Sequence, residues 1–282
     1  MDTVHLLAAL ASALLHAGWN AVVKTQPAPS EAMAAQMSAA ALLVLPLLAW
    51  SGLPPPAAWP WVALSTALNV AAVQALLRAY ASGGFGTVYP VMRATAVLGV
   101  ALVSPLLLGE RPSAPALAGL ALVVAALALL ALDTRRAAAA GSGFGPRAFG
   151  WTLLAGVLAS AYVLADAQGA RAAGSAVAYG AAVSVTNAIG MAAASRRLGA
   201  PWTLLRRHAA VAWPVAAASM LSYLLILWVF RHAPVAPAAA LRDTSAVFAM
   251  LIAVLWLKEP LGPRRIAVLL LALAGVPLLR LG

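Results

Sequence analysis

The sequence contains no cysteine, which excludes disulfides and thiol chemistry. It is also poor in charge. Lys and Arg number 18 and Asp and Glu only 7 among 282 residues, so charged residues make up 9%, against about a quarter in a soluble domain. No GxxxxGKS or GxxxxGKT loop is present, so ATP is not the expected energy source. The four histidines, His5, His16, His208 and His232, lack ligand spacing, and no metal, cofactor or catalytic residue is expected. What fills the chain is apolar: 64% of residues are hydrophobic. A water-soluble protein has no means of covering that much apolar surface, so the expected solvent is lipid.

Several apolar stretches reach about 18–22 residues, enough at 1.5 Å per residue to cross about 30 Å of hydrocarbon. In lipid each must be a helix, because its backbone groups find no water. Ten spans can be marked: Leu6–Val23, Ala32–Trp50, Trp61–Tyr80, Val88–Leu108, Pro115–Leu132, Phe149–Gln168, Ala176–Ala194, Ala209–Phe230, Val235–Leu257 and Ile266–Leu279. The first lacks the basic start of a signal peptide and is read as retained. Tryptophans such as Trp50, Trp59, Trp61, Trp202 and Trp213 stand near span ends, as interfacial anchors do.

The chain repeats itself. Arg93 recurs as Arg242 and Glu110 as Glu259, both at an offset of 149 residues, close to half the chain. The expected fold is an all-α membrane protein of ten transmembrane helices in two five-helix repeats, residues 1–132 and 149–282, joined by a linker at 133–148. Five is odd, so the second repeat enters the membrane inverted, an arrangement typical of secondary transporters with a site near the midplane. The net charge of +11 does not point to nucleic acid, since the basic residues occupy short connections between spans. Odd-numbered connections hold 11 Lys and Arg, even-numbered connections and the tail hold 4, and Arg78, Arg93 and Arg242 lie within spans. By the positive-inside rule the odd connections face the cytoplasm and both termini lie outside. The Ala/Leu-heavy composition suggests a GC-rich bacterial source, hence a bacterial inner (plasma) membrane, multi-pass location.

Polar residues inside such spans are the candidates for function. His16, Trp19 and Asn20 share one face of the first span, extended by Lys24. Gln74 and Arg78 are four apart in the third, as are Tyr89 and Arg93 in the fourth. Arg93 and Arg242 lie at matching depths in the two halves and so flank one pathway, unless they snorkel to the interface. Tyr223 is a deep aromatic. The substrate-binding set is therefore His16, Trp19, Asn20, Gln74, Tyr89, Arg93, Tyr223 and Arg242. Asp166 and Asp243 are the coupling candidates, with protons as the coupling ion. Asp243 points away from its neighbour Arg242 and is placed to meet Arg93 or another basic residue. Glu110 and Glu259, each followed by proline, are read as structural ends of helical hairpins. Gly119, Gly156, Gly190 and Gly275 permit close helix packing.

The segments Leu15-His16-Ala17-Gly18-Trp19-Asn20, Tyr89-Pro90-Val91-Met92-Arg93, Gly109-Glu110-Arg111-Pro112-Ser113 and Leu241-Arg242-Asp243-Thr244-Ser245 resemble those of EamA-type transporters of the drug/metabolite transporter superfamily. The resemblance implies a ten-helix basket with a cavity lined by the first, third, fourth, sixth, eighth and ninth spans. It also implies export or exchange of small metabolites such as amino acids, sometimes of cationic drugs. Ala94 stands where related sequences often have glycine. The usual cytoplasmic termini of bacterial members also conflict with the charge count. The expected function is a secondary transporter, an exporter of an amino acid or organic or phosph(on)ate anion. The alternatives are a flippase for a lipid or lipid-linked sugar, a cationic drug exporter, and an intramembrane protease using Asp166 and Asp243.

Overall fold

The computed structural model describes residues 1–82, 85–109, 113–139, 145–255 and 263–280, and no strand occurs among them. The chain runs α1 (Thr3–Lys24), α2 (Pro29–Ser51), a 3-10 turn (Pro56–Ala58), α3 (Trp59–Ser82), α4 (Phe85–Leu108), α5 (Ala114–Ala139) and α6 (Pro146–Ala173). It continues with α7 (Ala176–Ala194), α8 (Pro201–Arg207), α9 (Ala209–His232), α10 (Val235–Asp243), α11 (Ser245–Leu255) and α12 (Pro263–Arg280). Local chemistry sets the ends. Asp2 accepts the His5 N–H at 2.9 Å and caps α1. Pro29, Pro146 and Pro201 open α2, α6 and α8, where their missing N–H costs nothing. Gly174, at φ +63°, closes α6 in the left-handed region.

Among the described residues, seven helices are long and apolar enough to cross a membrane: α1 to α4, α6, α7 and α9. Leu102, Leu106, Leu107 and Ile189 are more than 60% exposed on their outer faces. Contiguous apolar surface of that kind suits lipid contact and not water. Trp50, Trp59, Trp202 and Trp213 near helix ends are also exposed, as a headgroup belt requires.

The two halves interleave. α3 packs along α6 and α1 along α9, while α2 meets α7, α5 meets α12, and α4 meets α6 and α10. The α5–α12 seam is close because both helices offer glycine. A Cβ on Gly119 would lie 2.8 Å from the Gly275 carbonyl oxygen, and one on Gly275 would lie 3.0 Å from that of Gly119. In lipid, where no hydrophobic effect draws helices together, backbone approach of this kind supplies the dispersion contact that does.

The structure departs from the span assignment at several places. The ninth span is not continuous: it breaks at Thr244 into α10 and α11. The Thr244 hydroxyl donates to the Leu241 carbonyl at 2.6 Å, and Val247 N–H bonds the Thr244 carbonyl in a tight i→i+3 turn. Threonine bonding back to its own helix bends it. A short helix, α8, precedes α9, with Leu204 and Leu205 buried and Trp202 exposed. The connection between the halves is helical to Ala139 and again from Pro146. α4 starts at Phe85, before the assigned Val88. Glu110, Arg111, Lys258 and Glu259 lie outside the described residues, and so do Gly83 and Gly84.

Candidate functional site

A cavity of about 150 Å³ lies between the halves. A single water needs about 10–15 Å³ by the same measure, so the space admits a small solute. His16, Trp19 and Asn20 of α1, Arg93 of α4, Tyr223 of α9 and Arg242 of α10 all line it. These are six of the eight binding candidates named from the sequence. Gln74 is not in this wall; it lines a second recess, with its amide 3.4 Å from Ser195 Oγ. Tyr89 is not in the wall either, and supports Arg93 from outside with its ring centroid 5.1 Å from the guanidinium carbon. The lining also includes Met33 and Gln36 of α2 and Ser184 and Asn187 of α7. The second and seventh spans therefore join the six that the resemblance implied. Their signal in the sequence was weak, because a lone glutamine or asparagine in an apolar span equally serves interhelical bonding.

The two arginines differ sharply in their partners. Arg93 donates to Asp243 at 2.9 Å, with both side chains at most 7% exposed. Its second terminal nitrogen meets His16 Nε2. Arginine only donates, so that His16 nitrogen accepts with its lone pair. Asp243 is thus turned away from its chain neighbour Arg242 and neutralises an arginine 150 residues distant. Arg242 is just as buried, at 6% exposure, yet makes no hydrogen bond among the described residues.

Arg242 Nε is one of several unpartnered polar atoms around the cavity. Trp19 Nε1, Asn187 Oδ1 and Arg93 Nε are also buried without a hydrogen bond among the described residues, while the Tyr223 hydroxyl is turned toward Asp166. Buried polar groups normally find partners, so a convergence of orphans on one cavity makes it the candidate binding surface. Donors predominate in it, which favours an acceptor-rich ligand. Other cavity residues are already committed: Asn20 Nδ2 donates to the His16 carbonyl at 2.8 Å, and Gln36 Oε1 accepts from Ser219 at 3.2 Å.

Asp166 sits behind this wall. It accepts from Ser65 at 2.5 Å and from Tyr179 at 3.1 Å, and Tyr223 stands between it and the cavity. Gly169 makes room for the Tyr179 ring, since a Cβ there would collide with it. Asp166 and Asp243 keep separate partners and do not share a hydrogen bond, as an aspartyl protease pair would require. Among the described residues no group of His, Asp or Glu is placed to hold a metal.

Residues 3–132 match the model of the EamA-like transporter family, part of the drug/metabolite transporter superfamily. The chain carries an EamA-like domain. With the seven apolar helices of membrane-spanning length, the match over those residues is that of a multi-pass membrane protein. No curated protein matches the chain in sequence. A crystal structure of another protein superposes with a TM-score of 0.75 at 18% identity. The match covers 100% of this chain and 98% of that one, and at that identity it speaks for the fold alone.

Proposed function

We propose that the protein is a secondary transporter that exports a small polar metabolite, an amino acid or an organic or phosph(on)ate anion, by alternating access around the central cavity. The observation that carries this reading is Arg242: a buried guanidinium without a hydrogen bond, on the wall of a solute-sized cavity between the halves. Asp243 and Asp166 attract Arg242 only from beyond ion-pair distance; a buried cation without a direct contact is costly to keep, and a carboxylate or phosphonate entering the cavity supplies that contact. Trp19 offers a further donor, and Asn187 offers an acceptor for an amino group.

Ten spans in two inverted repeats fit the packing. With α1 to α5 matched to α6, α7, α9, the broken α10–α11 and α12, the α3–α6 contact has its counterpart in α9–α1, and α2–α7 and α5–α12 are their own counterparts. Broken helices beside a central site are a recurrent feature of such carriers, and the Thr244 break follows directly on Arg242 and Asp243. Asp166 is the coupling acid, reached from the cavity through Tyr223. Asp243, as the counter-ion of Arg93, holds the site's frame.

The test is thermal stabilisation of the purified protein in detergent by amino acids, organic acids, phosphonates, nucleosides and organic cations. A specific ligand stabilises by RT ln(1 + [L]/Kd), about 2.7 kcal/mol at a hundredfold excess over Kd. Stabilisation by an anion or zwitterion, absent in Arg242→Gln, is expected. Stabilisation by cations alone would replace this reading with a cation exporter.

A further inference from the structure

We infer that the basic end of the bundle carries a second site, away from the central cavity, that takes the phosphate of an anionic phospholipid headgroup. A recess of about 260 Å³ opens where the C-terminal ends of α3 and α7 meet the start of α2. Arg78, Arg197, Ser30, Gln74 and Ser195 line it, with Leu77 and Leu198 among them. Arg78 lies four residues before the end of α3, about 6 Å inside it, and Arg197 follows the end of α7.

Both guanidiniums are exposed, and neither makes a hydrogen bond or ion pair among the described residues. Arg78 is nevertheless held in place, with its guanidinium carbon 4.8 Å from the centre of the Trp151 ring. Stacking fixes the plane and leaves the N–H edge free for a forked contact with two phosphate oxygens. The carboxylate adjacent in the chain, Glu31, is already engaged by Arg207 and His208, each at 3.0 Å. No acidic side chain lines the recess. Ser30 adds a hydroxyl in the first turn of α2, whose N-cap, Ala28, provides no side-chain cap. The free N–H groups of that turn favour an anion as well.

A lipid source, and not phosphate from solution, follows from the surroundings. The neighbouring α8 has the composition of an interfacial helix: Leu204 and Leu205 turn inward, Trp202 is exposed, and Arg206 stacks on it at 4.5 Å. The recess thus lies at headgroup level, with leucines placed to meet the first acyl carbons, on the face where basic connections gather.

The experiment measures melting temperature in neutral detergent micelles doped with phosphatidylglycerol or phosphatidylcholine, or supplemented with inorganic phosphate. Native mass spectrometry counts the lipids retained. Phosphatidylglycerol is expected to stabilise more than phosphatidylcholine and to remain bound as a discrete adduct. At least half of that difference should disappear in Arg78→Gln and in Arg197→Gln and persist in Arg206→Gln, whose side chain is outside the recess. An equal response to both lipids, an Arg206→Gln loss matching the other two, or phosphate stabilising as strongly as the lipid would overturn the assignment. Since adducts are counted on the unaltered protein, a poorly folded variant does not obscure the result.

Discussion

Arg93 and Arg242 stand 149 residues apart in the sequence and both are buried, and one structure shows two fates for the same charge. Arg93 is clamped by Asp243, faced by His16 and underlain by Tyr89, so its charge is spent within the protein. Arg242 has no hydrogen bond among the described residues, though it is buried to a similar degree. On the proposed duplication, the two cations are counterparts. A single aspartate, Asp243, pairs with Arg93, while Ala94 stands 149 residues before it, and Arg242 is left as the proposed contact for substrate. Burial alone does not mark a functional charge; what separates the two is whether the protein answers it.

The largest expected effect comes from removing the answer. Asp243→Asn leaves Arg93 buried beside a neutral partner, and loss of stability on the order of 3–5 kcal/mol is expected. Thermal melts in detergent would read it. The double variant Arg93→Gln/Asp243→Asn should recover most of the loss, and a cycle showing additive effects would mean that the pair is not coupled. The counterpart change, Arg242→Gln, should leave the melting temperature unchanged or raise it while abolishing uptake into proteoliposomes. Equal destabilisation by Arg242→Gln and Arg93→Gln would erase the distinction between the two arginines.

Smaller changes sharpen the comparison from its margins. Gly169→Ala forces the Tyr179 ring away from Asp166 and should cost about 1–3 kcal/mol by overpacking. If Asp166 couples protons, the pH dependence of transport should shift in this variant without loss of binding at Arg242. Thr244→Val removes the hydroxyl bond at the break and should cost about 0.5–1.5 kcal/mol, with altered transport rate as the more informative readout. The smallest effect belongs to Asp2, whose carboxyl the His5 N–H holds below the ordinary aspartate range. Its contribution is complete above about pH 4 and is lost as pH falls through the lowered value. Asp2→Ala should therefore lower the melting temperature slightly at neutral pH and make no difference in strong acid.

Helix placement was legible because lipid imposes a simple rule, about twenty apolar residues per crossing, on a sequence that is otherwise nearly uniform alanine and leucine. The arginines were legible because charge is conspicuous there. The cavity wall from α2 and α7 was not, since Gln36 and Asn187 look in sequence like Gln74, which turned out to bond Ser195 elsewhere. The break at Thr244 was hidden by an apolar run that satisfies the length rule whether or not the helix is continuous. Asp-Thr-Ser in succession was the available sign, as such side chains compete for backbone partners. Sequence spacing fixed Asp243's direction away from Arg242, but only the packing of α4 on α10 selects Arg93 as its partner.

The buried interior is chiefly alanine and valine, crossed between helices by side-chain bonds such as Ser12–Ser222, Ser65–Asp166 and Thr66–Thr186. Three large rings, Tyr89, Tyr179 and Phe230, are wholly enclosed in it. Two of them reach charged groups, Tyr89 at Arg93 and Tyr179 at Asp166. On the alternating-access reading proposed above, rocking of the helices has to carry these rings past close-packed neighbours, so a change of charge at Arg93 or Asp166 would be felt at the tightest points of the packing.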